Sequence, residues 1–290
     1  MVAFKQVDVF TLVPFKGNPV AVIIDASKLT TNDMKSIANW TNLSETTFVI
    51  PPTNPLIADY KVRIFVPSGE ELPFAGHPTI GTAFALLESG IIKPKNGKLV
   101  QECLAGLINL TVTKNNDNIY EILFQLPDPI ITKLNDDQII EIENILGSPI
   151  NRLMTPSIVN VGPKWLVVNL KDAKSVIDAN PNFTDLMNHD KKLGLSGLCI
   201  FGFYDSNNIE VRSFAPSCGV NEDPVCGSGN GSVTSLIRAY YDKSLDNPVF
   251  LNSTQGKVLG RDGHINLQFT KDKILIGGHA VTCIEGNINI

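Results

Sequence analysis

Residues 211–236, VRSFAPSCGVNEDPVCGSGNGSVTSL, run from an extended segment through a glycine-rich turn into a nearly uncharged helix. The same succession occurs earlier in the chain. Val62-Arg63-Ile64-Phe65-Val66-Pro67-Ser68 matches Val211-Arg212-Ser213-Phe214-Ala215-Pro216-Ser217, 149 residues later. After a two-residue insertion, Glu71-Leu72-Pro73-Phe74-Ala75-Gly76 matches Glu222-Asp223-Pro224-Val225-Cys226-Gly227 at an offset of 151. An offset near half the chain predicts two halves built on one plan.

The repeated unit has readable physics. Tyr60, Val62, Ile64 and Val66 alternate with Lys61, Arg63 and Phe65, the period of a strand with one buried face. Pro67 and Pro216 end the two strands. The segments that follow, 78–87 and 229–237, carry almost no charge and read as buried helices. Each helix opens at a glycine-containing turn, Ala75-Gly76-His77-Pro78-Thr79 or Cys226-Gly227-Ser228-Gly229-Asn230. Backbone N–H groups without helical acceptors and the positive end of the helix dipole make such a turn an anion site, so two anion sites are predicted.

Composition narrows the class. With 290 residues, 43% hydrophobic and 18% charged, the chain suits one or two soluble globular domains, and the repeat favours two. A net charge of −5, with no basic cluster longer than Lys191-Lys192, excludes a nucleic-acid partner. No apolar run approaches the ~18 residues that span a bilayer, and the first ten residues, MVAFKQVDVF, lack a signal peptide's apolar core. A cytosolic protein with no membrane partner is expected. The five cysteines are odd in number and include no CxxC pair, which argues against a disulfide framework and a zinc site.

Along the chain, Thr30 and Asp33 form a capping-box start for a helix carrying Met34, Ile37, Ala38 and Trp40 and ending near Asn42. A β-prone run, 43–50, then places Glu45 at a helix-to-strand corner. Ile139, Ile142 and Leu146 form an apolar stripe closed by Gly147 at a C-cap. The prolines of Pro127-Asp128-Pro129 predict a boundary between an N-terminal domain, 1–128, completed by 278–290, and a C-terminal domain, 129–277.

Four motifs in order, Gly17-Asn18-Pro19, ETTF at 45–48, AGHPTIG at 75–81 and EDPVCGSG at 222–229, resemble the PhzF family of phenazine-biosynthesis-like isomerases over nearly the whole chain. The duplicated plan is similar to diaminopimelate epimerase and proline racemase. The resemblance implies an α+β fold of two similar domains related by a pseudo-two-fold. Each domain would be a curved, mostly antiparallel sheet around a central helix, with the active site in the cleft between them. It also implies no cofactor and no metal, a small carboxylated metabolite as ligand, and is compatible with a homodimer.

In two-thiol racemases each turn carries a proton-transferring cysteine, but here Cys226 is matched by Ala75, and an alanine accepts no proton. The resemblance instead implies Glu45 as a proton shuttle, with His77, Asp223 and Ser228 as further catalytic residues and Gly76, Gly227, Cys226 and Gly229 binding substrate. Residue by residue, plainer readings stand beside these. Glu45 is either a desolvated base or an exposed strand-end carboxylate, His77 either a substrate contact or a helix cap, and Asp223 either a direct participant or an Asx-turn anchor. Cys226 is either a thiol activated by the helix N-terminus or a space-filler. His189, His264 and His279 read as structural or solvated. Two rival functions remain open: a Cys226/His77 hydrolase or transferase, and a non-catalytic carboxylate-binding protein.

Overall fold

The structure, a computed structural model, describes residues 1–241 and 247–289. The chain divides into two compact units, Met1–Gln125 with Gly277–Ile290, and Leu126–Ile276.

In the first unit Val2–Val9 pairs antiparallel with Asn18–Ile24, which pairs parallel with Thr46–Ile50, which pairs antiparallel with Tyr60–Phe65. Tyr60–Phe65 then runs parallel to Lys98–Cys103, itself antiparallel to Gly106–Lys114. The second unit repeats this succession in Ser157–Asn160, Lys164–Asn169, Gly197–Phe203, Asn208–Ala215, Val249–Gln255 and Gly263–Phe269. Even a short strand recurs, Glu71–Leu72 against Tyr60–Phe65 and Val220–Asp223 against Asn208–Ala215. The repeat seen in twenty-odd residues of sequence therefore extends through six strands of each unit. Ala280–Ile288 returns to the first unit and pairs antiparallel with Val2–Val9, from Val2↔Ile288 to Val9↔Ala280.

In each unit the strands pack around a helix of the repeated segment. Gly76–Glu88 is buried from His77 to Leu87 and touches Val2–Val9, Asn18–Ile24, Thr46–Ile50 and Tyr120–Gln125. Burial this complete leaves no room for charge, which is why the segment carries none until Glu88. Its hydroxyls are satisfied inside: Thr82 Oγ1 donates to Thr47 Oγ1 at 2.9 Å, and Thr79 Oγ1 accepts from Gln101 Nε2 at 2.9 Å. In Gly227–Ala239 the buried Thr234 and Ser235 hydroxyls bond back to the carbonyls of Asn230 and Gly231, both at 2.8 Å. Leu134, Ile139, Ile142, Leu146, Val168 and Phe214 belong to a separate apolar cluster of the second unit, built under the predicted stripe.

Two local expectations are met in detail. Thr30 and Asp33 form a full capping box, and Gly147 caps its helix with φ 64°. The strand Tyr60–Phe65 departs from simple alternation, because Phe65 is fully buried on the face predicted to be solvated. The reason is the helix Thr31–Thr41, whose Met34 and Ala38 cover that face together with Phe48.

The arginines of the repeat do something alternation did not reveal. Arg63 Nε and Nη2 reach the two oxygens of Glu71 at 2.8 and 2.6 Å, and Arg212 makes the same fork to Glu222 at 2.8 and 2.8 Å. Each guanidinium also lies over the phenylalanine two residues on, 5.0 Å from the Phe65 centroid and 4.8 Å from that of Phe214. The forks differ in burial: side-chain exposures are 24% and 20% for Arg63 and Glu71, but 5% and 6% for Arg212 and Glu222. Removing one partner of a buried pair strands the other charge and costs roughly 3–5 kcal/mol, whereas exposed pairs contribute about 0–1. Arg212→Met should therefore lower unfolding stability by about 3 kcal/mol or more, and Arg63→Met by clearly less, in urea denaturation. Equal losses would show that burial does not govern the two forks.

Candidate active site

Glu45 stands one residue before the strand Thr46–Ile50, where the chain leaves the helix Thr31–Thr41 through a left-handed Asn42 at φ 53°. The corner is fixed on both sides, by the Thr41 Oγ1 to Thr46 Oγ1 hydrogen bond of 2.8 Å and by Ala21 N–H donating to the Glu45 carbonyl at 3.5 Å. The side chain points inward and keeps 16% of its surface exposed. Burial raises its carboxyl pKa above the ordinary value, opposed by a hydrogen bond from Ser44. Its Oε2 lies 3.3 Å from His77 Nε2, whose side chain is 8% exposed.

His77 occupies the first turn of Gly76–Glu88. The N-cap of that helix is Ala75, extended at φ −148° and ψ 135°, and no side chain caps it. The structure thus replaces the capping role weighed for His77 with a contact to Glu45. The two residues, 32 apart in sequence, are brought together because the strand that follows Glu45 packs on the helix carrying His77. Gly76 is required by close approach, since a Cβ there would stand 2.8 Å from Phe124 Cζ. Pro78 fits the first turn, where its missing N–H has no helical acceptor to lose.

In the second unit the equivalent turn gathers Asp223, Cys226, Gly227, Ser228 and Gly229. Asp223 Oδ1 accepts from Val225 N–H at 3.0 Å, the Asx-turn anchor. Its carbonyl accepts from Gln255 Nε2 at 2.9 Å, and Gln255 Oε1 accepts from Cys226 N–H at 3.1 Å and from Asn230 Nδ2 at 2.7 Å. A buried glutamine thus clamps both ends of the turn. Gln101 holds the corresponding helix of the first unit through Thr79.

Cys226 is the N-cap of Gly227–Ala239, with its sulfur accepting from Gly229 N–H at 3.3 Å. A helix N-terminus alone predicts a lowered thiol pKa, and here the structure overturns that expectation. Burial, the Asp223 carboxylate and the Cys199 sulfur push it well above the ordinary value. Cys226 is a protonated structural cap in this environment. A Cβ on Gly229 would stand 2.5 Å from Ser213 Oγ and 2.7 Å from Cys199 Sγ, so the cap also needs a glycine three residues on.

Ser228 is half-buried at the position matching His77. Its Oγ accepts from Trp165 Nε1 at 3.0 Å and lies 3.6 Å from Cys226 Sγ. Trp165 is absent from every motif considered above, since it lies 63 residues away on Lys164–Asn169, and a lone tryptophan in an apolar strand signals core. Of the remaining histidines, His189 is buried 3.3 Å from Asp190, His264 is exposed beside Asp262, and His279 Nδ1 lies 2.9 Å from the Tyr120 carbonyl.

Residues 7–286 match the PhzC-PhzF family, described as phenazine biosynthesis-like protein. The chain is 45% identical to Antisense-enhancing sequence 1 of Schizosaccharomyces pombe, over 98% of this chain and 97% of that one. It is 32% identical to the trans-2,3-dihydro-3-hydroxyanthranilate isomerase of Pseudomonas fluorescens, over 97% of each chain. Among solved structures, a PhzF-family protein of Bacillus anthracis superposes with a TM-score of 0.88 at 26% identity, covering 100% of this chain and 99% of that one. A probable proline racemase of Agrobacterium radiobacter, at 13% identity and a TM-score of 0.66 over 100% and 93% of the chains, shares the fold. The α+β, epimerase-like fold, the match across nearly the whole chain and the isomerases among its relatives agree: the chain belongs to the PhzC-PhzF family of phenazine biosynthesis-like proteins and is an isomerase.

Proposed function

We propose that this isomerase moves a proton between two carbons of a small carboxylated metabolite, with Glu45 as base and then acid. The observation that carries the reading is the buried Glu45 carboxylate, its pKa raised by desolvation and its oxygen 3.3 Å from His77. A carboxyl of this kind takes a proton from carbon more readily than an ordinary one and can return it. In the step, the C–H electron pair delocalises into an enolate or dienolate as the proton passes to Glu45. The same proton is then delivered to a second carbon. No electrons are gained or lost overall, and no co-reactant is consumed.

His77 orients the carboxylate in this scheme. Gly76 and His77 in one unit, and Gly227 and Ser228 in the other, stand in the first turn of a helix, whose positive dipole end suits each turn to a carboxylate or to developing negative charge. Gly229 and Cys226 shape the second turn, and Asp223 fixes it through the Asx turn. The trans-2,3-dihydro-3-hydroxyanthranilate named for the Pseudomonas relatives is a carboxylated, unsaturated ring of the class proposed, and serves as a probe. The protonated Cys226 counts against the hydrolase or transferase reading, which requires a thiolate.

Glu45→Gln keeps the shape and removes the proton acceptor. Turnover of the probe should fall by about 10²-fold or more while binding of benzoate persists, and Cys226→Ser should retain most activity. Wild-type turnover in Glu45→Gln would remove the base from the mechanism.

Stability should report the same carboxylate. Because folding raises its pKa, the native protein holds that proton more tightly than the unfolded chain, so stability falls as pH rises from about 4.3 through the native value and stays reduced above it. Glutamine carries no such charge. Glu45→Gln should therefore be more stable than wild type at pH 8, with the advantage shrinking towards zero near pH 4 in urea midpoints. A pH-independent difference would mean that Glu45 is not desolvated.

A further inference from the structure

The contact between Trp165 and Ser228 carries a direction. An indole N–H donates and never accepts, so at 3.0 Å the Ser228 oxygen is the acceptor and its own proton must go elsewhere. The other group near this oxygen, Cys226 Sγ at 3.6 Å, already accepts from Gly229 N–H and keeps its own S–H proton. The indole therefore cannot take the Ser228 hydrogen, whereas the contact with Cys226 Sγ can run in either direction. Ser228 lies in the first turn of Gly227–Ala239, ahead of any carbonyl that a back-bonded hydroxyl uses deeper in the helix, as Thr234 and Ser235 do.

The indole itself is held rigidly. Trp165 is 4% exposed and is paired with Gly197 across parallel strands, where a Cβ on Gly197 would stand 2.8 Å from Trp165 Cζ3. A side chain clamped between strands thus keeps its single polar atom on the Ser228 oxygen.

We propose that Trp165 is a positioning residue that orients Ser228 as an obligate hydrogen-bond donor, so that this turn selects an acceptor, a carboxylate or enolate oxygen, and rejects a donor such as an ammonium group. The inference rests on the isomerase reading above for the ligand class, and on the hydrogen bond alone for the direction.

The test is a double-mutant cycle read by calorimetric binding of benzoate. Ser228→Ala should weaken benzoate about tenfold, the lower end of what a hydrogen bond to a charged group contributes. Trp165→Phe should weaken it about three- to tenfold when Ser228 is present and leave it unchanged in Ser228→Ala, since the indole acts through that hydroxyl. Replacing Trp165 by 3-benzothienylalanine, which keeps the ring volume and lacks the N–H, should reproduce the Trp165→Phe result without a packing defect. Equal losses in both Ser228 backgrounds, no loss in either, or no benzoate binding by wild type would each overturn the proposal. Failure of the proposed proton-shuttle mechanism appears separately, as turnover of trans-2,3-dihydro-3-hydroxyanthranilate surviving Glu45→Gln.

Discussion

A bidentate arginine–glutamate fork stands at the head of each glycine-containing turn, and the local structure follows from it. Arg63 with Glu71, and Arg212 with Glu222, tie a strand to the short strand that leads into the turn. A guanidinium fork matches a carboxylate in two parallel hydrogen bonds, so it fixes orientation as well as distance. With that segment tied down, the next residues enter the central helix at a defined angle. Stacking each guanidinium on the following phenylalanine then couples the fork to the core.

The two copies have diverged at the turn itself and stayed alike where geometry is set. Both retain the fork, the succession of strand pairings and a buried glutamine holding the helix start. At the turn itself Ala75 stands where Cys226 stands, and His77 where Ser228 stands. An alanine at the first position leaves the helix uncapped, and the histidine that follows reaches Glu45. A cysteine there caps the helix through its sulfur, and the serine that follows receives an indole N–H. One backbone plan thus carries a carboxylate–imidazole pair in one unit and a capped hydroxyl turn in the other.

Much of this was legible in the sequence because it depends on local pattern. The repeat, the uncharged helices, the Thr30–Asp33 capping box and the Gly147 cap are each written in residues a few positions apart. The Glu45 corner followed from a carboxylate set between a helix and a β-prone run. What escaped was side-chain pairing over distance. Nothing in the alternation of the strand announced that Arg63 and Arg212 would fork onto glutamates eight and ten residues on, and Phe65 looked solvated until a second helix covered it. Trp165 was invisible for the same reason, since its partner lies 63 residues away. The two readings of Cys226 could not be separated in sequence because the helix dipole is readable there, whereas the burial and the neighbouring Asp223 and Cys199 that outweigh it are not.

The proposed proton transfer turns on one buried carboxylate, since a proton that leaves carbon and returns to carbon needs a group whose affinity for it lies between water and the substrate. In the proposed mechanism desolvation at the Glu45 corner supplies that affinity, with His77 Nε2 3.3 Å from the carboxylate oxygen. The measurement that bears on this most directly is a pH titration of side-chain carboxyl ¹³C resonances in glutamate-labelled protein, with Glu45 assigned by its disappearance in Glu45→Gln. The account predicts a Glu45 midpoint above the ordinary value of about 4.3. A midpoint at or below that value would contradict it.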